Sequence, residues 1–328
     1  MNINKKRVKE LADKFQSSNI LIIGDVMLDS YMWGNVNRIS PEAPIPIVSI
    51  NDSEFRLGGA ANVALNIKAL GANPILCSVT GNDNYSIIFK ELLSKENIND
   101  MGIITDADRK TTVKTRIISK GQHILRVDEE NINPVSDEIT NVLLSKITEI
   151  IKSKNIKIII FEDYDKGVIT DKLIQDVKKS AKENNIAVCV DPKKNNFNNY
   201  SEISLFKPNF KEFCEGLKIE IDKKQINKLA DVTKQFIKDN RIDILLITLS
   251  ELGIFICDKN NWHHLPVKVR DISDVSGAGD TVISIASLFL SVNASLEEIA
   301  TISNIAGGVV CEKTGVVPIK LDELLDEF

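Results

Sequence analysis

Asn19-Ile20-Leu21-Ile22-Ile23-Gly24 decides the fold class. Four consecutive large aliphatic residues closed by a glycine make a strand with no polar face, as a parallel sheet covered by helices on both sides requires. Working outward, strand-like runs recur at 74–80, 156–161, 186–190, 205–207, 243–248 and 253–257. Helical patterns lie between them, over Ala60–Ala69, 136–152 and 223–240. This alternation predicts an α/β fold: a mostly parallel sheet, helices on both faces and right-handed crossovers.

Two segments break the rhythm. Residues 31–50 contain Pro41, Pro44 and Pro46, which exclude a helix and predict an extended edge segment. Residues 111–128 alternate, with Val113, Ile117 and Ile118 among Lys114, Arg116, Lys120 and Arg126, which predicts an antiparallel hairpin. Together they read as a small β-sheet lid on one large domain covering residues 1–328. The lid also offers a surface for a homodimer.

The chain has 328 residues, 43% hydrophobic and 27% charged, with 41 Lys+Arg against 46 Asp+Glu and a net charge of −5. A balance this acidic argues against nucleic acid and anionic membranes as partners, though a few local basic groups can still hold a phosphate. Five scattered cysteines without metal or redox spacing predict free thiols in a reducing cytosol. The first 15 residues read as a helix rather than a signal peptide, and no apolar run approaches the ~20 residues of a membrane span. A cytoplasmic protein is expected.

The chemistry is expected around Val275-Ser276-Gly277-Ala278-Gly279-Asp280-Thr281, which opens an apolar segment of helical length. Gly277, Ala278 and Gly279 let the backbone approach a ligand, and the N–H groups of a helix N-terminus attract phosphate. Asp280 falls in the first turn, beside that anion hole. Alone, such a string is equally a turn with an N-cap; the acidic strand end before it (Asp271, Asp274) and the small-residue helix after it favour a site. Asp25 and Asp29, in Gly24-Asp25-Val26-Met27-Leu28-Asp29, follow the first strand, where open α/β sheets bind ligands. In Leu57-Gly58-Gly59-Ala60-Ala61-Asn62, the glycine pair permits close approach and Asn62 offers a donor and acceptors to sugar hydroxyls.

In this order the three segments resemble the ribokinase-like (PfkB) family of sugar kinases over essentially the full length. The resemblance implies a small-molecule sugar and ATP as substrates and Mg2+ as cofactor. It implies Asp280 as catalytic base, Gly277, Ala278 and Gly279 as anion hole, and Asp29, Gly58, Gly59 and Asn62 as sugar ligands. Asn209 and Glu212 match its Asn-x-x-Glu motif, with Glu212 acting on the metal through water. Thr248 and Gly253 match its nucleotide-binding strand and turn, and Asn304 a position beside the adenine. No Walker-type lysine motif is present.

Arg38-Ile39-Ser40-Pro41-Glu42-Ala43-Pro44 further resembles bacterial heptose-7-phosphate kinases, which phosphorylate the anomeric hydroxyl on the way to ADP-heptose. Lys114-Thr115-Arg116, Leu125-Arg126-Val127-Asp128 and Asp191-Pro192-Lys193 do likewise. On this likeness Arg38, Lys114, Arg116 and Arg126 would bind a phosphate already on the sugar, Asp163 the sugar and Lys193 the nucleotide. One departure is Asp165, in Glu162-Asp163-Tyr164-Asp165-Lys166-Gly167, where those kinases carry a small residue. The bifunctional members continue into a nucleotidyltransferase domain where this chain stops, so adenylyl transfer is expected of another protein. A kinase for another sugar or sugar phosphate, and a catalytically silent sugar-binding regulator, remain alternatives. A dinucleotide oxidoreductase is disfavoured because no Gly-x-Gly-x-x-Gly follows the first strand.

Overall fold

The computed structural model describes residues 3–328; Met1 and Asn2, the start of the expected N-terminal helix, lie outside the described residues. In chain order the strands are β1 Asn19–Gly24, β2 Val26–Ile39, β3 Pro46–Gly59, β4 Asn73–Gly81, β5 Gly102–Asp106, β6 Val113–Ser119, β7 Gln122–Glu129, β8 Ile156–Glu162, β9 Ala187–Asp191, β10 Leu205–Phe206, β11 Ile244–Thr248, β12 Ile254–Cys257 and β13 Trp262–Leu265. They form two sheets.

The larger sheet runs β13-β12-β11-β10-β9-β8-β1-β4-β5. Its neighbours are parallel except β11–β12 and β12–β13, as the apolar runs predict. Ile20 to Ile23 of β1 are completely buried, because helices cover both faces. β5 and β13 go unread in the sequence. Both are short edge strands, and neither needs an unbroken apolar run. From β1 the chain builds outward through β4 and β5, then returns to β8 on the other side. The reversal puts a topological switch point at the carboxyl ends of β1 and β8, where open α/β sheets hold ligands.

The smaller sheet runs β3-β2-β6-β7, with β2–β3 and β6–β7 antiparallel and β2–β6 parallel. The expectation of one extended edge segment over 31–50 is corrected here. Pro41 and Pro44 fall in the reversal between two long strands, and Pro46 is the first residue of β3. β2 is therefore free of proline and pairs on both sides. This sheet is rooted in the larger one: Asp25 alone separates β1 from β2, and β3 leads directly into helix Ala60–Ala69.

Helix Ala278–Ser291 is the central pillar, buried at every position from Asp280 to Phe289. Such a helix must be almost wholly small or apolar, and its one carboxylate, Asp280, lies in the first turn where the sheet ends.

Candidate active site

The carboxyl ends of the body strands carry a row of charged groups. Glu162 and Asp191 are register partners at the ends of β8 and β9, and Lys207 immediately follows β10. Lys207 Nζ pairs with Asp191 Oδ2 at 2.7 Å, both residues being about as buried as the core. A Cβ placed on Gly279 would lie 3.5 Å from Lys207 Nζ and 3.7 Å from Asp191 Oδ2, so this glycine lines the same space. Among the described residues the other Asp191 oxygen, Oδ1, has no hydrogen-bond partner, and neither has either Glu162 oxygen. Burial, with Asp191 and Asp280 nearby, pushes Glu162 well above the usual carboxylate range and favours its neutral form.

Asp280 sits beside this row, 3% exposed. Gly277 caps its helix at φ +79°, a left-handed conformation that favours glycine. Asn62 Nδ2 donates to Asp280 Oδ2 at 2.7 Å, and the Tyr164 hydroxyl donates to Oδ1 at 2.6 Å. Burial raises the Asp280 carboxyl to about 6 against the pull of these two donors; Asp191 adds to the rise and Lys207 opposes it. Tyr164 is pushed well up by its own burial and by Asp280, and so stays the donor.

At the lid side of the row, Asp29 and Arg116 form a buried ion pair between β2 and β6. Gly58 and Gly59 are accounted for by contacts within the protein. A Cβ on Gly58 would lie 2.2 Å from Asp29 Oδ2, and one on Gly59 would lie 2.4 Å from the Asp25 carbonyl oxygen. The expectation that Asp25 and Asp163 meet sugar hydroxyls is corrected, because both are buried among protein donors. Asp25 accepts the N–H groups of Tyr164, Lys166 and Val168 at 2.8–3.1 Å. Asp163 accepts from Asp165 N, Asn196 Nδ2 and the Tyr200 hydroxyl. Together they hold loop 163–168. Asp165 adopts φ +54°, a left-handed conformation that favours small residues, and its Oδ1 accepts the Asn195 N–H.

The four lid cations do not form one cluster. Lys114 is half-buried and stands 5.1 Å over the Tyr164 ring; among the described residues its ammonium has no ion-pair or hydrogen-bond partner. Arg126 is opposite Arg116 in the β6–β7 register but turns outward to Asp128. Arg38 is exposed near the far end of β2, nine residues from Asp29 and so on the order of 30 Å away at strand rise. Its inclusion with the others is corrected on that ground.

Beyond β10, Asn209 and Glu212 form a reciprocal capping box at helix Phe210–Leu217, each accepting the other's backbone N–H at 2.8 Å. The remaining Glu212 oxygen pairs with Lys193. Burial opposes the charge on Lys193, but Asp191 and Glu212 outweigh it and hold the ammonium above its ordinary range. Thr248 bridges to Asn209. A Cβ on Gly253 would collide with the Leu265 carbonyl, the same group that Asn304 Nδ2 reaches at 3.3 Å. Thr248, Gly253 and Asn304 are thus gathered around the ends of β11 and β13.

Sequence reasoning missed Tyr164, Lys207 and Glu162. The available signal was a polar residue immediately after an apolar strand, as at Ile160-Phe161-Glu162 and Leu205-Phe206-Lys207.

Residues 17–322 match the family described as pfkB family carbohydrate kinase. The bifunctional protein HldE of Aliarcobacter butzleri is 39% identical over 311 residues, covering 94% of this chain and 64% of that protein. The chain therefore spans a little under two thirds of that relative's length. Among solved structures, Escherichia coli phosphofructokinase-2 in complex with potassium superposes with a TM-score of 0.78 at 20% identity, over 95% of this chain and 98% of that one. Arabidopsis thaliana ribokinase complexed with ribose and ATP gives 0.72 at 16%, over 95% and 98%.

Proposed function

Because the chain belongs to the pfkB family of carbohydrate kinases, and is an ATP-dependent sugar kinase, we propose that it phosphorylates the anomeric C1 hydroxyl of heptose 7-phosphate. The observation that carries the choice of a phosphorylated sugar is Lys114. A half-buried ammonium without a carboxylate partner among the described residues, on a lid strand beside the catalytic aspartate, suits an anionic substrate. The stretches from Arg38 to Pro44 and from Lys114 to Asp128, similar to heptose-7-phosphate kinases, narrow that anion to heptose 7-phosphate.

In the proposed reaction the C1 oxygen attacks the γ-phosphorus of ATP, the bond to the β–γ bridging oxygen breaks, and the hydroxyl proton passes to Asp280. Each Asp280 oxygen already accepts one hydrogen bond and retains capacity for the sugar hydroxyl. The N–H groups at Gly277, Ala278 and Gly279, with Lys207 alongside, would stabilise charge on the transferring phosphoryl group. Asp29, held by Arg116, and Asn62 would orient the sugar. Lys193, Asn209, Thr248, Gly253 and Asn304 would hold the nucleotide.

The residues fit Mg2+. Asp191 Oδ1 is a buried orphan beside Gly279, and among the described residues no cluster of three or more acidic, His or Cys side chains could bind an ion unaided. A single free carboxylate oxygen suits a magnesium ion held mainly by phosphates and water. Asp191, with Glu212 through water, would hold it, and it would neutralise phosphate charge. The exposed Ile124, Leu125 and Val127 of β7 and Ile39, Ile45 and Ile50 of the β2–β3 hairpin support a homodimer through the lid.

The test is ATP consumption over a panel of heptose 7-phosphate, fructose 6-phosphate, ribose and fructose. Heptose 7-phosphate should give the highest kcat/KM and a 1,7-bisphosphate by NMR. A preference for another sugar overturns the heptose assignment and leaves the kinase intact. Turnover on no sugar favours a binding regulator.

A further inference from the structure

Tyr164 has no role in the reaction so far, yet more of the fold converges on it than on any sugar ligand named above. Its N–H is fixed to Asp25 Oδ2 at 2.8 Å, and the rest of its loop is held by Asp25 and Asp163. Its ring is approached by two ammonium groups, Lys114 Nζ from the lid at 5.1 Å from the ring centroid and Lys193 Nζ from the body at 5.3 Å. Both lie within the range of a cation–π contact. Its hydroxyl ends 2.6 Å from Asp280 Oδ1. Backbone, ring and hydroxyl are thus each held by a different part of the molecule.

A base in the first turn of a helix can rotate about its side-chain bonds. Only a donor on each oxygen fixes the carboxylate plane, and the pair here is Asn62 and Tyr164. We propose that Tyr164 is a positioning residue for phosphoryl transfer, aiming Asp280 through its hydroxyl while Lys114 and Lys193 lock its ring. This rests on Asp280 being the base and deepens that reading.

The proposal has a signature that a purely structural tyrosine lacks. A hydrogen bond to the ionised carboxylate favours the charged form, so removing it moves the acid limb of kcat upward. The groups facing Asp280 are Tyr164 and Glu162 from β8 and its loop, Asp191 from β9, Lys207 after β10 and Asn62 from helix Ala60–Ala69. Lys114 and Lys193 flank Tyr164. Of these, Tyr164→Phe deletes one hydroxyl and keeps the ring that both lysines approach.

The experiment measures kcat from pH 5 to 9 at saturating sugar and ATP for the wild type, Tyr164→Phe, Asp280→Asn and a protein carrying 3-fluorotyrosine at position 164. Tyr164→Phe should move the acid limb up by about one pH unit or more, the worth of a hydrogen bond to a charged group. Its kcat should then be about fivefold or more below wild type at pH 6, with the gap narrowing above pH 8 and KM for ATP unchanged. Fluorotyrosine, a stronger donor, should move the limb the other way. If Asp280→Asn is inactive but both Tyr164 variants leave the limb in place, with uniform loss or none, the Tyr164 proposal is overturned and the base stands. If Asp280→Asn turns over normally, the base reading falls and takes this one with it.

Discussion

The two sheets solve different problems: the lid is built on two 14-residue strands, β2 and β3, and the body on strands of two to nine residues. In the body, β1 is buried on both faces, and the charged residues at the ends of β9 and β10 are sealed from water as the pair Lys207–Asp191. In the lid, β7 is exposed along nearly its whole length and presents Ile124, Leu125 and Val127 to solvent between charges. The body holds its polar groups at fixed positions in a low-dielectric setting, where a charge is costly unless paired and effective once it is. The lid has little core and is defined by its strand pairing and its roots in the body. The two meet where β6 brings Lys114 over the ring of Tyr164, whose hydroxyl reaches Asp280. Perturbing the body should therefore damage catalysis or stability outright, and perturbing the lid should change substrate affinity and assembly.

The largest effect is expected at Asp280. Asp280→Asn keeps the shape and removes the base, so kcat should fall ~10²–10⁴-fold while calorimetry still shows ATP binding. Near-normal turnover would remove the chemistry from this helix terminus. Next comes Lys207→Met, which strands Asp191 as an unpaired buried charge. Breaking such a pair costs about 3–5 kcal/mol, to be read from denaturant midpoints. A loss below about 1 kcal/mol would mean that the strand-end row behaves like a surface.

In the lid, Lys114→Ala should raise KM for heptose 7-phosphate by about ten- to a hundredfold, the worth of a charge-assisted hydrogen bond. On the unphosphorylated sugar it should leave KM almost unchanged and act only on kcat, through the Tyr164 ring. Equal weakening of both substrates would show that Lys114 does not read phosphate. Arg116→Ala is a blunter probe, since it also frees Asp29.

A subtler effect is pH dependence. Burial holds the Asp280 carboxyl at about 6. The base works only when deprotonated, so kcat should be level above pH 7 and fall as pH drops through about 6. An acid limb near the ordinary aspartate value of ~4 would mean that water reaches this carboxylate. The smallest effect on the folded monomer belongs to Leu125→Lys on β7, where surface changes are worth about ±0.5 kcal/mol. Sedimentation should nonetheless show a shift from dimer to monomer if the lid pairs with itself.

Much of the site was legible because packing alone seldom calls for small residues and a carboxylate together at a strand end. Gly277 to Asp280 lies where the motif predicts it, at the mouth of the central helix. Asp25 and Asp163 looked equally functional in the sequence, yet they serve the loop that carries Tyr164. Local sequence records that a carboxylate follows a strand, and it does not record which donors the next loop brings to it.

The sequence by itself determined the α/β class, the parallel body, the place of the Gly277–Asp280 helix terminus and the family. These follow from local patterns: unbroken apolar runs, proline positions, and glycines before an aspartate. Only the tertiary structure decided which charges act together. Lys207 and Asp191 are 16 residues apart, Tyr164 and Asp280 116, and Asn62 and Asp280 218. Parallel strands joined by crossovers place such distant ends side by side, and a carboxylate's protonation and aim depend on its neighbours in space. Strand spacing and helix packing set those neighbours, and no local pattern records them.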